Sequence, residues 1–159
     1  MKNLIAFSLL LGVILGGCKK DSNPTDNGTP AQLSITQVSD SISYNLTIPK
    51  ATFGLTDTLK GSFIVLNQSQ SLRVFNFDYQ QQIQWTVRSD TDRVVMFQPK
   101  LLSPAYSQFQ LNPNESKSYS IQQAIKDDAG IPVTAGAYKL SVFLRSSGAP
   151  MLTLQISLE

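Results

Sequence analysis

The sequence predicts an all-β protein, an antiparallel immunoglobulin-like β-sandwich of about eight or nine short strands. Three observations predict it. From Leu33 to Leu158 apolar residues repeatedly alternate with polar ones, the period of strands that turn one face to a core. Clusters of Asn, Asp, Ser, Gly and Pro break the alternation at short intervals, as in sandwiches built of many short strands. Helical signal is confined to Gln122–Asp128 (QQAIKDD), which supports one or two turns at most.

The strands follow in order. Ile42, Tyr44, Leu46 and Ile48 alternate with Ser43, Asn45 and Thr47. Phe63-Ile64-Val65-Leu66 is apolar throughout, which suits a strand covered on both faces. Leu72 and Val74 lead into Phe75 and Phe77, and Ile83, Trp85 and Val87 alternate with Gln84, Thr86 and Arg88. Gly136–Arg145 and Met151–Leu158 read as a hairpin, with Tyr138, Leu140, Val142 and Leu144 facing the way of Leu152, Leu154, Ile156 and Leu158. Turns fall at Asn67–Ser69, Ser89–Asp92, Asn112–Asn114, Asp127–Gly130 and Ser146–Gly148, each rich in residues that bond their own backbone or accept a positive φ.

The N-terminal segment has different chemistry. Lys2 precedes an apolar run from Leu4 to Leu15, too short to span a bilayer, and Gly16 and Gly17 then precede Cys18. A basic start, a short apolar centre and small residues are the order of an export signal. Leu15-Gly16-Gly17-Cys18 resembles the lipobox of bacterial lipoproteins. The resemblance implies cleavage after residue 17 and lipid on the Cys18 thiol, holding the protein at the cell envelope. Lys19, where a retaining Asp would stand, implies the outer membrane where one is present. Cys18 is the sole cysteine, so no intramolecular disulfide is expected. Lys19–Gln32 has no large apolar residue and reads as a flexible tether, with a root-mean-square span of roughly 20 Å. The expected organisation is therefore a signal over 1–17, lipidated cysteine and linker over 18–32, and one sandwich over 33–159.

Four local patterns between Gly61 and Leu144 resemble the BsuPI domain, named for an intracellular proteinase inhibitor of bacilli. They are Asn67-Gln68-Ser69 after a strand, Phe77-Asp78-Tyr79-Gln80-Gln81-Gln82-Ile83-Gln84-Trp85-Thr86-Val87, Leu111-Asn112-Pro113-Asn114-Glu115, and Gly130-Ile131-Pro132-Val133-Thr134-Ala135-Gly136-Ala137-Tyr138. The chain departs from the family pattern at Gln80, Gln84, Asn114 and Ala135. The resemblance implies a sandwich fold and suggests proteinase inhibition, although the matched residues have the character of turns and core.

Composition narrows the chemistry. There is no histidine, which removes histidine-based triads and metal sites. The 13 basic and 11 acidic residues are scattered, without the basic stripe of a nucleic-acid binder. Asp90 with Asp92, and Asp127 with Asp128, could each offer oxygens to calcium, but neither pair comes with a full ligand loop. They are expected to form turns. No catalytic residue, cofactor or metal is expected, and a monomer is.

Partner binding has better candidates. Gln98–Gln108 (QPKLLSPAYSQ) is a long connection carrying Lys100, Leu101, Leu102 and Tyr106 between or beside Pro99 and Pro104, and long ordered loops are often functional. An extended Lys100-Leu101-Leu102 could enter a protease cleft as a substrate-like strand. Tyr79 and Gln80-Gln81-Gln82 form a polar, aromatic turn. Tyr79, Tyr106 and Tyr119 would have to form one exposed row for carbohydrate binding, while Trp85 is expected in the core. The function expected is a lipid-anchored, non-enzymatic protein-binding domain, with a proteinase inhibitor as its specific version. An assembly adaptor, and after it a carbohydrate-binding module, are the alternatives.

Overall fold

The computed structural model describes residues 32–159, and the expected export signal, Cys18 and all but the last residue of the expected linker lie outside them. Eleven strands follow one another among the described residues: β1 (Leu33–Ser39), β2 (Ile42–Ile48), β3 (Thr52–Phe53), β4 (Thr58–Asn67), β5 (Arg73–Phe77), β6 (Ile83–Ser89), β7 (Val94–Gln98), β8 (Ser107–Leu111), β9 (Ser116–Ala124), β10 (Gly136–Leu144) and β11 (Met151–Leu158). One sheet has the order β1-β2-β4-β9 and the other β3-β11-β10-β6-β7, while β5 and β8 form a separate ribbon. All named pairings are antiparallel except β11 with β3.

This is the immunoglobulin-like sandwich that the alternation predicts. The first long strand pairs in one sheet as β2, and the chain then crosses to lie parallel to the last strand as β3. Chain crossings between β4 and β6, and between β9 and β10, bring sequence neighbours into opposite sheets, as Greek-key sandwiches require. Tyr138 reinforces the type. Its hydroxyl donates to the carbonyl of Thr134 at 2.8 Å, a tyrosine corner at the entry to β10.

The core lies between the sheets. Tyr44, Leu46, Ile48, Leu59, Phe63 and Val65 face Trp85, Val87, Leu140, Val142, Leu154 and Ile156, all buried. Each such apolar side chain contributes about 1.5–3 kcal/mol. At Gly61 the backbones of β2 and β4 come close: a Cβ there would meet the Thr47 carbonyl and Ile48 Cγ2 at 3.1 Å. The β5–β8 ribbon adds Phe75, Phe77 and Phe109, with ring centroids 4.6 and 5.5 Å apart.

Three expectations need correction. There are eleven strands rather than about eight or nine, because the two-residue β3 and the five-residue β7 and β8 are too short to show a period. Gln122–Asp128 is not helical. Gln122–Ala124 completes β9 opposite Lys60, Leu59 and Thr58, and Ile121, Gln123 and Ile125 continue the inward period of two, with both isoleucines buried. The Asp127 carboxylate then closes the turn, accepting from the backbone N–H of Ala129 at 3.0 Å and of Ile131 at 2.7 Å. Finally, Ile64 and Leu66 are only half-buried, since nothing covers the outer face of their sheet completely.

The buried Asn67 fastens one end. Its Nδ2 donates to the carbonyls of Ser71 at 2.8 Å and Leu111 at 2.9 Å. Its Oδ1 accepts from the Ser69 N–H at 2.9 Å and hydroxyl at 2.7 Å. Its backbone N–H donates to the Glu115 carbonyl at 3.0 Å, and its carbonyl accepts from the Asn114 N–H at 2.8 Å. Asn114 has φ 63°, the left-handed conformation that asparagine tolerates. The turns at Asn67–Ser69 and Asn112–Asn114 therefore meet in one hydrogen-bonded node.

Candidate functional site

The long connection between β7 and β8 and the turn between β5 and β6 meet at one edge of the sandwich. Gln81 joins them. Its Oε1 accepts from the Ser103 N–H at 2.9 Å, and its Nε2 approaches the Ser103 hydroxyl at 3.4 Å. The Gln80 N–H donates to the Ser103 carbonyl at 3.2 Å, and the Ser107 hydroxyl to the Tyr79 carbonyl at 2.8 Å. A second tether comes from another turn: Lys100 Nζ donates to the Asp128 carbonyl at 3.1 Å and lies 3.8 Å from its carboxylate.

Leu101 lies between these tethers and is 83% exposed. Leu102 and Tyr106 are also exposed, the Tyr106 hydroxyl donating to Asn76 Oδ1 at 2.6 Å. Among the expected partner-binding residues, Lys100, Leu101, Leu102, Tyr106 and Tyr79 thus share one loop pair. Their roles differ. Lys100 is occupied by Asp128, Tyr79 is half-covered, and Leu101 is the free apolar side chain. A half-exposed ion pair contributes less than about 1 kcal/mol.

The turn is held from two sides. The Arg145 guanidinium lies over the Tyr79 ring, 4.9 Å from its centroid. Arg145 Nη1 donates to Gln84 Oε1 at 2.5 Å, and its backbone N–H donates to the Gln82 carbonyl at 2.8 Å. Opposite, the Tyr119 hydroxyl donates to Gln82 Oε1 at 2.8 Å. Burial raises the pKa of Tyr119, which keeps that hydroxyl a donor. Between turn and sheets runs a groove of about 350 Å³ lined by Gln80, Gln82, Ile83, Trp85, Gln98 and Tyr119, among others.

The three tyrosines do not form one exposed row. Tyr119 is half-buried with its ring 6.3 Å from Phe63, and Tyr79 is half-buried beneath Arg145. Trp85 is 5% exposed and belongs to the core. The paired aspartates serve their turns: Asp90 Oδ1 accepts from the Thr91 N–H at 2.8 Å, and Asp92 has φ 61°. Among the described residues no three carboxylates or thiols cluster as a metal site. Sequence reasoning missed Arg145, Ser103 and the Lys100–Asp128 tether. Their partners are 22 to 66 positions away along the chain, beyond any local pattern.

No family model matches the chain, and no curated protein matches it. Solved structures do. A β-glucosidase from Erythrobacter marinus is 18% identical with a TM-score of 0.48, over 75% of this chain and 15% of the enzyme. A β-glucosidase from Listeria innocua in complex with glucose is 14% identical with a TM-score of 0.43, over 80% of this chain and 16% of the enzyme. An alkylpurine DNA glycosylase from Pseudomonas fluorescens, bound to DNA, is 12% identical with a TM-score of 0.45, over 69% and 27%. The chain spans about a sixth of the length of the two glucosidases it matches.

Proposed function

We propose that this protein is a lipid-anchored protein-binding domain of the bacterial cell envelope, held through Cys18 and docking a partner with the Leu101 loop. The observation that carries this reading is the bracketing of Leu101. An 83% exposed leucine stands between the Lys100 side chain, held by Asp128, and the Ser103 backbone, held by Gln81. A loop already fixed in shape loses less entropy on binding, so its single apolar knob delivers more affinity. The specific form suggested by the BsuPI resemblance is proteinase inhibition, with Leu101 entering a cleft selective for large apolar side chains.

A second reading is an assembly adaptor of an envelope complex. It is favoured by the fact that Asn67, Asn114, Glu115 and Tyr138, all within the BsuPI-like patterns, spend their polar groups on the fold itself. Fold-level likeness then carries no function of its own.

Crosslinking pull-down from intact envelopes, with the wild-type chain and Cys18→Ala, separates these readings. Recovery of a protease whose activity the lipid-free protein suppresses, and Leu101→Asp does not, supports inhibition. Recovery of assembly components with proteolysis unchanged supports the adaptor. Equal recovery of all proteins by Leu101→Asp refutes the loop as the docking site.

A further inference from the structure

Arg145 carries a charge that the fold orients but does not neutralise. Among the described residues Lys50, Arg73, Lys100 and Lys139 each pair with an aspartate, whereas Arg145 meets no carboxylate. Its fixed points are neutral. Nη1 donates to Gln84 Oε1 at 2.5 Å, the backbone N–H donates to the Gln82 carbonyl at 2.8 Å, and the guanidinium lies 4.9 Å from the centroid of the Tyr79 ring. A guanidinium held in this way has little rotamer freedom left to lose on binding. Two donors stay unspent. Nε is shielded from water and has no acceptor, a state that is rare in folded proteins. Nη2 has no acceptor among the described residues either, and it keeps contact with solvent.

This half-buried side chain borders a cavity of about 520 Å³ together with Gln84, Phe143, Ser146, Ser147 and Ala149. The alternation along β10 explains the placement. Tyr138, Leu140, Val142 and Leu144 point into the core, so Phe143 and then Arg145 emerge on the outer face, beside Gln84, the partner of Phe143 on β6. The lining therefore combines one cation, two hydroxyls, an amide and an apolar wall, and no acid.

We propose that this cavity binds an organic monocarboxylate. One carboxylate oxygen accepts from Arg145 Nη2, the other from the hydroxyls of Ser146 and Ser147, and the apolar body rests on Phe143 and Ala149. The lining selects this class. A cation with no acid beside it favours an anion, and a charge-assisted hydrogen bond is about twice as strong as a neutral one. A single guanidinium matches a single carboxylate, whereas a phosphate group, with a charge of about −1.5 to −2 at neutral pH, meets too little positive charge and an apolar wall. A neutral ligand leaves the guanidinium uncompensated. The adjoining cavity at Ser39 and Val74 does not compete for the anion, because its cation, Arg73, lies 3.0 Å from the Asp40 carboxylate. No residue of the Leu101 loop takes part, so this inference is independent of the docking reading.

NMR titration of the isotope-labelled, lipid-free chain carrying Cys18→Ala tests it. The probes are phenylacetate, its uncharged isostere phenylacetamide, and inorganic phosphate, all at physiological salt. Phenylacetate is expected to give saturable shifts at the Arg145 Nε–H and at the Ser146 and Ser147 amides, with a Kd on the order of 1 mM. Binding is expected to be about tenfold weaker for phenylacetamide, and for phenylacetate with Arg145→Lys, which keeps the charge but loses the planar fork. Ser147→Glu alters an exposed residue and leaves Arg145 with its contacts to Gln84 and Tyr79. It sets a carboxylate of the chain's own at the cavity, and it is expected to abolish the phenylacetate shifts while the unfolding midpoint in urea stays that of the parent. No saturable shift with phenylacetate, an equal response to phenylacetamide, phosphate binding as tight as phenylacetate, or full binding by Ser147→Glu each overturn the proposal.

Discussion

Asn67→Ala isolates the largest single polar contribution to the frame. Asn67 has no exposed surface and makes four side-chain hydrogen bonds. Truncation strands the carbonyl of Leu111, a residue 2% exposed, and an unsatisfied buried acceptor costs about 1–3 kcal/mol. The three lost bonds to Ser69 and Ser71 lie nearer solvent and are partly replaced by water, adding about 1–2 kcal/mol. Together the two ranges give about 2–5 kcal/mol, with a midpoint of about 3.5 kcal/mol. For a domain of this size that lowers Tm by about 10–20 °C. Urea unfolding and thermal circular dichroism of the lipid-free chain measure both quantities. Asn67→Asp supplies the sharper comparison, since it keeps the shape but turns two donors into acceptors facing carbonyls. It is expected to be at least as destabilising at neutral pH and to recover in part when acid restores a proton. A loss below 1 kcal/mol for Asn67→Ala, or wild-type stability for Asn67→Asp at pH 7, refutes the node as a determinant of the fold.

Leu101→Asp is expected to change stability by less than about 0.5 kcal/mol, because the side chain is exposed, while abolishing partner capture; unfolding curves alongside pull-down yield check both. Gln81→Ala is expected to weaken partner binding several-fold through loosening of the loop, visible as faster hydrogen exchange at Ser103. Asp57 is held below its ordinary carboxylate pKa, chiefly by the hydrogen bond from Lys50 at 2.6 Å and then by the Gly54 N–H at 3.0 Å. Its lowered folded-state pKa means that its contribution is complete above the unfolded value of about 3.9 and disappears as pH falls through the folded one. The stability gap between wild type and Asp57→Asn is therefore expected to be constant from pH 7 to 5 and to shrink toward pH 2, by urea midpoints. Tyr138→Phe removes the corner bond to Thr134 and is expected to cost about 1–1.5 kcal/mol, measured the same way.

The sandwich was legible where one face is dry and the other wet. Tyr138, Leu140, Val142 and Leu144 announce β10 without help, as Leu152–Leu158 does β11, and Asn114 marks its own left-handed turn. Legibility failed where tertiary pairing overrode local pattern. Gln122–Ala124 favours helix by residue type, yet β4 supplies nine partners in line and Ile121 and Ile125 complete an inward period of two. β7 and β8 were hidden because the eye follows the long connection between them. At the site, composition and loop length exposed Leu101 and its neighbours. The tethers that give them shape were invisible, since Lys100 meets Asp128 and Tyr79 meets Arg145 only through the folded topology.

Frame and loop are separated along β8. That strand leaves the loop at Ser107 and enters the Asn67 node at Leu111, about 14 Å of extended chain later. The four patterns singled out in the sequence are divided by this strand. Asn67, Asn114 and Glu115 lie in the node, Tyr138 holds the entry to β10, and Phe77, Trp85 and Val87 fill the core. Tyr79, Gln80 and Gln81 reach the loop, through Ser107 and Ser103. Most of those positions therefore build the scaffold, and these three brace the loop it carries. Lys100, Leu101, Leu102 and Tyr106 fall outside those patterns and Tyr79 falls within one, so the docking proposed for the loop rests mainly on residues that the patterns do not include. In a sandwich organised in this way the loop can change while core and node stay intact, so the fold and the proposed docking are tested by different substitutions.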